Sequence, residues 1–400
     1  MKLSLKLVAL ATLAVPSLGF ALGIRIADQN AEATARGDAF VATADNPSAV
    51  YYNPAGISQL QGQNLLLGGY AIYLQDKVTP PSYDSVRTKD KIEGIPQFFY
   101  TYSIKDSPVT LGLGLYSPYG FGLAYPDTNP FRLFALKGSV EYLTLNPVIS
   151  YKINKTLSVA AGMTLNYADA ELAQGVLPFP GNTFDFKGHG FAVGYNLGIL
   201  WQPTEQHSFG ISYHSRTSMN LHGTSTLAYP GTYFQQAAVA NEFKFADFLT
   251  AGYSFRPTPA WNFEADVDWT NWHDLKSVTL NQQVSPSVPL NFNWQSSCFY
   301  EFGATRYFEN GYHISAGYIY SQNSVPTGSS FNPLIPDSAR DIFTTGFGWK
   351  KDRLSWDFAY ELSYGAPRTI IGAPTVGGES VNGEYRFISH ALTLSFGYNF

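Results

Sequence analysis

Three carboxylates, Glu264, Asp266 and Asp268, fall on alternate positions of the segment Trp261–Thr270. A period of two places them on one face of a strand, where they could act as paired acid and base groups or as ligands for a cation. Successive inward acids on a barrel strand are more often solvated, or paired with an Arg or Lys of a neighbouring strand, and that structural role is the expectation. The histidines His189, His207, His214, His222, His273, His313 and His390 form no H-E-x-x-H pair, and no G-x-S-x-G elbow is present. A single cysteine, Cys298, excludes a disulfide framework and a multi-cysteine metal site. The expectation is no enzyme, no cofactor and no metal.

The carrier of the acidic row also presents Trp261, Phe263, Ala265, Val267 and Trp269 on its other face. The same alternation recurs from about Gln63 onwards. Leu157, Val159, Ala161, Met163 and Leu165 alternate with small or polar residues, and Leu354, Trp356, Phe358, Tyr360, Leu362 and Tyr364 do likewise. Only 14% of the 400 residues are charged while 16% are aromatic, against about 25% charged in an ordinary soluble domain. That balance suits a β-protein that touches lipid. The net charge of -5 becomes -7 if Lys2 and Lys6 are lost with a leader, and nothing in it suggests a nucleic-acid partner.

Fourteen alternating segments are expected, near 63–75, 95–105, 107–119, 139–153, 156–172, 186–202, 207–225, 240–256, 260–282, 288–308, 311–321, 339–351, 353–367 and 384–400. Many reach the roughly 9 to 11 residues that a tilted strand needs to cross a bilayer. Their connections alternate between short (Asn154-Lys155, Pro203 to Gln206, Glu309-Asn310, Lys351-Asp352) and long (Phe121 to Gly138, Ala173 to Asp185, Ala228 to Ala238, Gln322 to Ser338, Arg368 to Gly383). Short turns on one side and long loops on the other describe an outer-membrane barrel. Lipid cannot satisfy an open sheet edge, so the last segment should pair with the first near Leu65 to Tyr73.

Residues 1–21 read as a secretory signal peptide, with Lys2 and Lys6 ahead of the apolar run Leu7 to Leu18 and a small-x-small site at Gly19-Phe20-Ala21. Between that leader and the first strand lies Arg36 to Ile57, which has no sustained period and two Asn-Pro steps, Asn46-Pro47 and Asn53-Pro54. Each step favours a turn, and Ala39, Ala42, Ala44, Ala49 and Ala55 permit close packing. The segment is either a linker or a plug.

The runs Arg36-Gly37-Asp38-Ala39, Asp45-Asn46-Pro47-Ser48-Ala49 and Asn53-Pro54-Ala55 resemble the amino-terminal segment of the FadL/TodX-type transporters of long-chain fatty acids and other hydrophobic compounds. The resemblance continues through Ser117-Pro118-Tyr119-Gly120, Gly194 to Leu200, Trp269-Thr270-Asn271-Trp272, and Ser324-Val325-Pro326 with Ile335-Pro336-Asp337. It implies an all-β, fourteen-stranded antiparallel transmembrane barrel (62–400) whose lumen is plugged by an N-terminal hatch (22–61), in the outer membrane of a Gram-negative bacterium. It further implies a passive route: a hydrophobic ligand is captured among long loops, passes a hatch gated by Asn46, Pro47, Asn53, Pro54 and Ala55, and leaves sideways at a kink in the third strand. Pro118, Tyr119 and Gly120 are the expected kink. Phe131, Leu133, Phe134 and Leu136, beside Arg132 and Lys137, are expected to be an exposed capture loop. Membrane lipid and lipopolysaccharide, and an assembly machinery reading the terminal Phe400 strand, are the other implied partners.

Family members that carry fatty acids are expected to hold basic residues in the inner pocket, where this chain places Gln174 and Ser297-Cys298. A neutral, for example aromatic, hydrocarbon therefore stands as the alternative ligand. A general diffusion porin or a surface adhesin is the rival from another class.

Overall fold

The computed structural model describes residues 23–400; the expected leader, residues 1–21, lies outside them. Fourteen antiparallel strands close into one barrel. Six are continuous in the first half of the chain or nearly so: β1 Gln63–Thr79, β2 Ile92–Ser103, β3 in two pieces Val109–Tyr116 and Gly120–Ala124, β4 Lys137–Lys152, β5 Leu157–Gln174 and β6 Thr183–Trp201. Four are broken: β7 His207–His214 with Thr217–Tyr229, β8 Thr232–Phe245 with Phe248–Thr258, β9 Trp261–Thr270 with Ser277–Gln282, and β10 Val288–Asn291 with Ser297–Tyr307. The last four are β11 Tyr312–Ser321, β12 Arg340–Lys351, β13 Leu354–Ile370 and β14 Gly383–Asn399. Closure is made where β14 pairs with β1, from Asn64 opposite Asn399 to Thr79 opposite Glu384.

Alternation alone left open whether the greasy face meets lipid or a core. On β6 the answer is direct: Phe191, Val193, Tyr195, Leu197, Ile199 and Trp201 are each 45–62% exposed, while Gly194, Asn196, Gly198 and Leu200 face inward. An uninterrupted row of large apolar side chains facing outward is stable in hydrocarbon and costly in water.

Two expectations are corrected here. The stretch Ala228 to Ala238 is not a long loop but a tight hairpin, in which β7 turns into β8 at Pro230-Gly231 and Tyr229 pairs with Thr232. Gly231 has φ +79°, the left-handed conformation such a turn needs. The segments drawn as unbroken, 207–225, 240–256, 260–282 and 288–308, are each interrupted, and the breaks turn aromatic side chains inward: Phe245, Phe248, Trp272, Phe292 and Trp294 are buried. An apolar residue at a break satisfies the period of the strand on either side, which hides the break from a period count.

The bore is filled by residues 23–61. Helical turns α1 Ala31–Ala35 and α2 Ala49–Tyr52 and a 3-10 turn Pro54–Gln59 are joined by short coils, and nearly every residue from Ile24 to Ile57 is buried. The Asn-Pro steps explain this shape. Extended Asn53 (φ -157°, ψ 102°) ends α2, and its side-chain oxygen accepts the Ala55 amide at 3.1 Å to start the 3-10 turn. The Asn46 oxygen accepts both the amide and the hydroxyl of Ser48, at 2.9 and 2.6 Å. Glycines on the inner wall make room: a Cβ on Gly210 would overlap the Val41 carbonyl, and one on Gly303 the Arg36 carbonyl. The segment is therefore a hatch, not a linker.

Candidate functional site: a chamber beside a gap in the wall

The hatch is fastened to β9. Arg25 grips Asp268 with both terminal nitrogens, at 2.6 Å for Nη2 to Oδ2, and donates to Thr270 at 2.9 Å. Arg36 donates to Glu264 at 3.0 Å and to Glu32 at 2.6 Å. Asp266 accepts the Val41 amide at 2.8 Å, and Thr43 donates to Glu264. The charged partners of the acidic row are therefore hatch arginines rather than an Arg or Lys of a neighbouring strand, and Thr250 of β8 also donates to Asp268, at 2.8 Å. Asn53 adds bonds from its side-chain nitrogen to the carbonyls of Val41 (2.8 Å) and Ile199 (3.0 Å), and Asn196 donates to the Val50 carbonyl at 3.1 Å.

On the other side of the bore the wall is incomplete. The inner piece of β3 pairs with β2 from Ser103–Thr110 to Phe98–Leu115. After the break at Ser117, Pro118 and Tyr119, the outer piece, Gly120–Ala124, pairs with β4 alone. The half of β2 from Ile92 to Gln97 pairs with β1 alone. It contains Pro96, which cannot donate to a ladder. A single bond from the Lys89 amide to the Ala124 carbonyl, 2.8 Å, bounds the gap above.

The tip of the hatch lies along this gap. The Ile26 amide donates to the Pro118 carbonyl and the Gly120 amide to the Ile24 carbonyl, both at 2.9 Å, while the Gly23 amide reaches Asp337 in a long loop at 2.8 Å. Tyr119 turns inward, donates to the Ala246 carbonyl, and packs on Tyr142, Phe245 and Trp272.

A cavity of about 710 Å³ runs from the hatch surface to this gap. Ile72, Leu74, Ile95, Phe299, Ile319, Ile342 and Phe387 give it apolar walls, and Gly120, Phe121 and Gly122 line it along the gap. Asp28 and Asp38 of the hatch, Asp76 of β1 and Glu361 of β13 also face it. Burial, and then the adjacent Asp28, hold the Asp38 carboxyl well above the usual range. Asp38 adopts φ +54°, directly after Gly37 at +69°, so the hatch carries a backbone conformation that L-residues rarely adopt beside the chamber.

Other expected site residues land elsewhere. Phe131 and Leu136 are buried and Leu133 and Phe134 half-buried, so this loop is packed rather than open. Phe131 stacks edge-on against Tyr125, whose hydroxyl reaches the Pro333 carbonyl, and the Leu133 amide donates to Glu379 at 2.7 Å. Arg132 is spent on Asp127, Asn182 and the Leu177 carbonyl. Gln174 and Ser297-Cys298 do not line the cavity, and Ser297 hydrogen-bonds Ser324 at 2.7 Å. No group of His, Cys, Asp and Glu among the described residues could hold a metal ion. Sequence reasoning quoted Arg36 and Asp38 only within a motif, with no role for either side chain, and missed Arg25, Asp28, Asp76 and Glu361. For Asp76 a signal existed: it is the one acid among Tyr70, Ile72, Leu74 and Val78 on the inward period of β1.

A closed barrel with an outward apolar face and a plugged bore defines a transport barrel of the Gram-negative outer membrane. The chain belongs to the family described as Outer membrane protein transport protein (OMPP1/FadL/TodX), whose model matches residues 12–400. Among curated relatives, it is 20% identical to Outer membrane protein P1 of Haemophilus influenzae over 90% of each chain. It is 21% identical to the Long-chain fatty acid transport protein of Escherichia coli (strain K12), over 90% of this chain and 89% of that one. Similar solved structures include a Pseudomonas aeruginosa FadL homologue (TM-score 0.84, 19% identity, 95% of this chain and 100% of that one). The Pseudomonas putida toluene transporter TodX is another (TM-score 0.75, 17% identity, 96% and 100%).

Proposed function

We infer that the protein conducts small hydrophobic molecules passively across the outer membrane and releases them sideways through the gap between β2 and the outer piece of β3. One observation carries this reading: an apolar-walled cavity of about 710 Å³ is continuous from the hatch to an unpaired stretch of the wall. A solute that enters from the loop side needs no coupled energy source, because partition into the lipid core drives it outward. Pro118, Tyr119 and Gly120 shape the exit, and the Asn46-Pro47 and Asn53-Pro54-Ala55 turns hold the floor in place. Phe131, Leu133, Phe134 and Leu136 act as part of a closed cap that must part for entry. The outward terminal residue Phe400, 57% exposed, is the feature an assembly machinery would read.

The test is uptake of labelled toluene and oleate by cells carrying the parent protein or Gly120→Trp. A Cβ at Gly120 already lies 3.1 Å from Ile26 and 3.4 Å from the Val140 carbonyl, so an indole there closes the window. The expected result is a roughly tenfold fall in uptake of the transported solute, about 1.4 kcal/mol of barrier, with the variant folded in the outer membrane. Parental uptake by the folded variant would sink lateral exit. A large steady ion conductance of the parent in a planar bilayer would favour the porin.

A further inference from the structure

We propose that the chamber receives amphiphiles whose head donates hydrogen bonds, a primary ammonium best and a carboxylate worst. This rests on the transport reading above and specifies the head group of its ligand. The buried carboxylates of the chamber are Asp28, Asp38, Asp76, Asp337 and Glu361, beside two guanidinium groups; Lys89, Lys91, Lys137, Asp90, Glu93 and Glu141 also line the cavity, in its exposed and half-exposed part. Both guanidinium groups are paired with an acid, while the Nε of each is buried without a partner. Arg25 is held by Asp268 from outside the chamber, and Arg340 pairs with Asp337 at 3.2 Å and lies over the Phe387 ring at 4.8 Å.

Asp76 is the telling residue. It is 1% exposed, its backbone is pinned by Thr88 through bonds of 3.1 and 3.0 Å, and neither carboxylate oxygen has a hydrogen-bond partner. One oxygen of Asp28 and one of Asp38 are also buried without a partner. Buried acceptors beside a cavity are costly until a donor arrives. An ammonium brings three donors, whereas a carboxylate head brings only further acceptors. Ile72, Leu74, Ile319 and Ile342 receive the tail, so the cavity distinguishes heads at one wall and tolerates hydrocarbon at the others.

The experiment measures equilibrium binding of octylamine, octanol, octanoate and octane to the purified full-length protein in one detergent at pH 7. Octylamine should bind most tightly, octanol next, and octanoate at least tenfold more weakly than octylamine. Asp76→Asn should weaken octylamine tenfold or more while leaving octane unchanged. If that variant fails to fold, Glu361→Gln should show the same selective loss. Octanoate binding as well as octylamine, or unchanged octylamine affinity in both folded variants, would overturn the proposal while octane binding kept the transport reading intact. Failure of all four probes to bind would bring down the transport reading with it.

Discussion

Two acid-bearing walls face each other across the bore, and they differ in what they meet. On β9, each of Glu264, Asp266 and Asp268 accepts a bond from the hatch. Opposite, Asp76 on β1 and the hatch carboxylates Asp28 and Asp38 line the cavity and keep buried oxygens without a hydrogen-bond partner. The residue type is the same and the role is opposite. Where a guanidinium or amide arrives with the chain, the acid fastens; where none does, it is left available to something from outside. Along the acidic row itself, Trp261–Thr270, the fastening wall is paired on both sides, with β8 across one bulge and with β10 without interruption. The unpaired stretch between β2 and the outer piece of β3 lies on the side that does not fasten.

The largest effect should come from breaking the fastening wall. Arg25→Ala leaves Asp268 buried with only hydroxyl donors, and removing one partner of a buried pair costs about 3–5 kcal/mol. Because the barrel's own ladders are untouched, the loss falls on hatch seating, and steady ion conductance in a planar bilayer should rise from near zero. Adding Asp268→Asn to Arg25→Ala should recover part of that loss, since the stranded charge is gone. A sealed, stable Arg25→Ala protein would show that the pair does not hold the hatch.

A middle-sized effect is expected from the hatch's own geometry. Asn53→Ala removes the acceptor that starts the 3-10 turn and two bonds from its side-chain nitrogen, and loss of such a cap costs about 0.5–2 kcal/mol. Thermal unfolding in detergent should show a lowered midpoint, with a conductance between those of the parent and Arg25→Ala. Equal sealing at a parental midpoint would mean that Asn53 is replaceable, and that the Arg25 and Arg36 pairs suffice.

Most of the fold was legible because lipid enforces it. Strand number, the outward face and the β14–β1 closure all follow from a period of two sustained over lengths that span a bilayer. The breaks in β7 to β10 were not legible, since Phe245, Trp272 and Trp294 preserve the apolar pattern while turning inward. The hairpin at Pro230-Gly231 was legible in principle, as a Pro-Gly step is a strong turn signal; the polar run after it, Gln235-Gln236, read instead as loop. The acidic row of β9 stood out because its members are adjacent in sequence. Its partners did not, because Arg25 and Arg36 come from a segment more than 200 residues earlier, and only closure of the barrel brings them together. Asp28, Asp38, Asp76 and Glu361 are scattered for the same reason.

The smallest effect is the one that sharpens the contrast most. Asp76→Asn keeps the shape of the side chain and removes no bond, because neither oxygen has a partner to lose. Its unfolding midpoint should match the parent's or exceed it, with a stability change within about 0.5 kcal/mol, the span of substitutions that disturb neither packing nor a bonding network. Asp268→Asn, the same chemical change across the bore, withdraws the charge that Arg25 is paired with and should cost several times more. The two variants side by side in one thermal scan therefore read the difference between the walls directly. A loss of stability in Asp76→Asn as large as that in Asp268→Asn would mean that both walls are structural, and that the chamber's acids are not held open for a ligand.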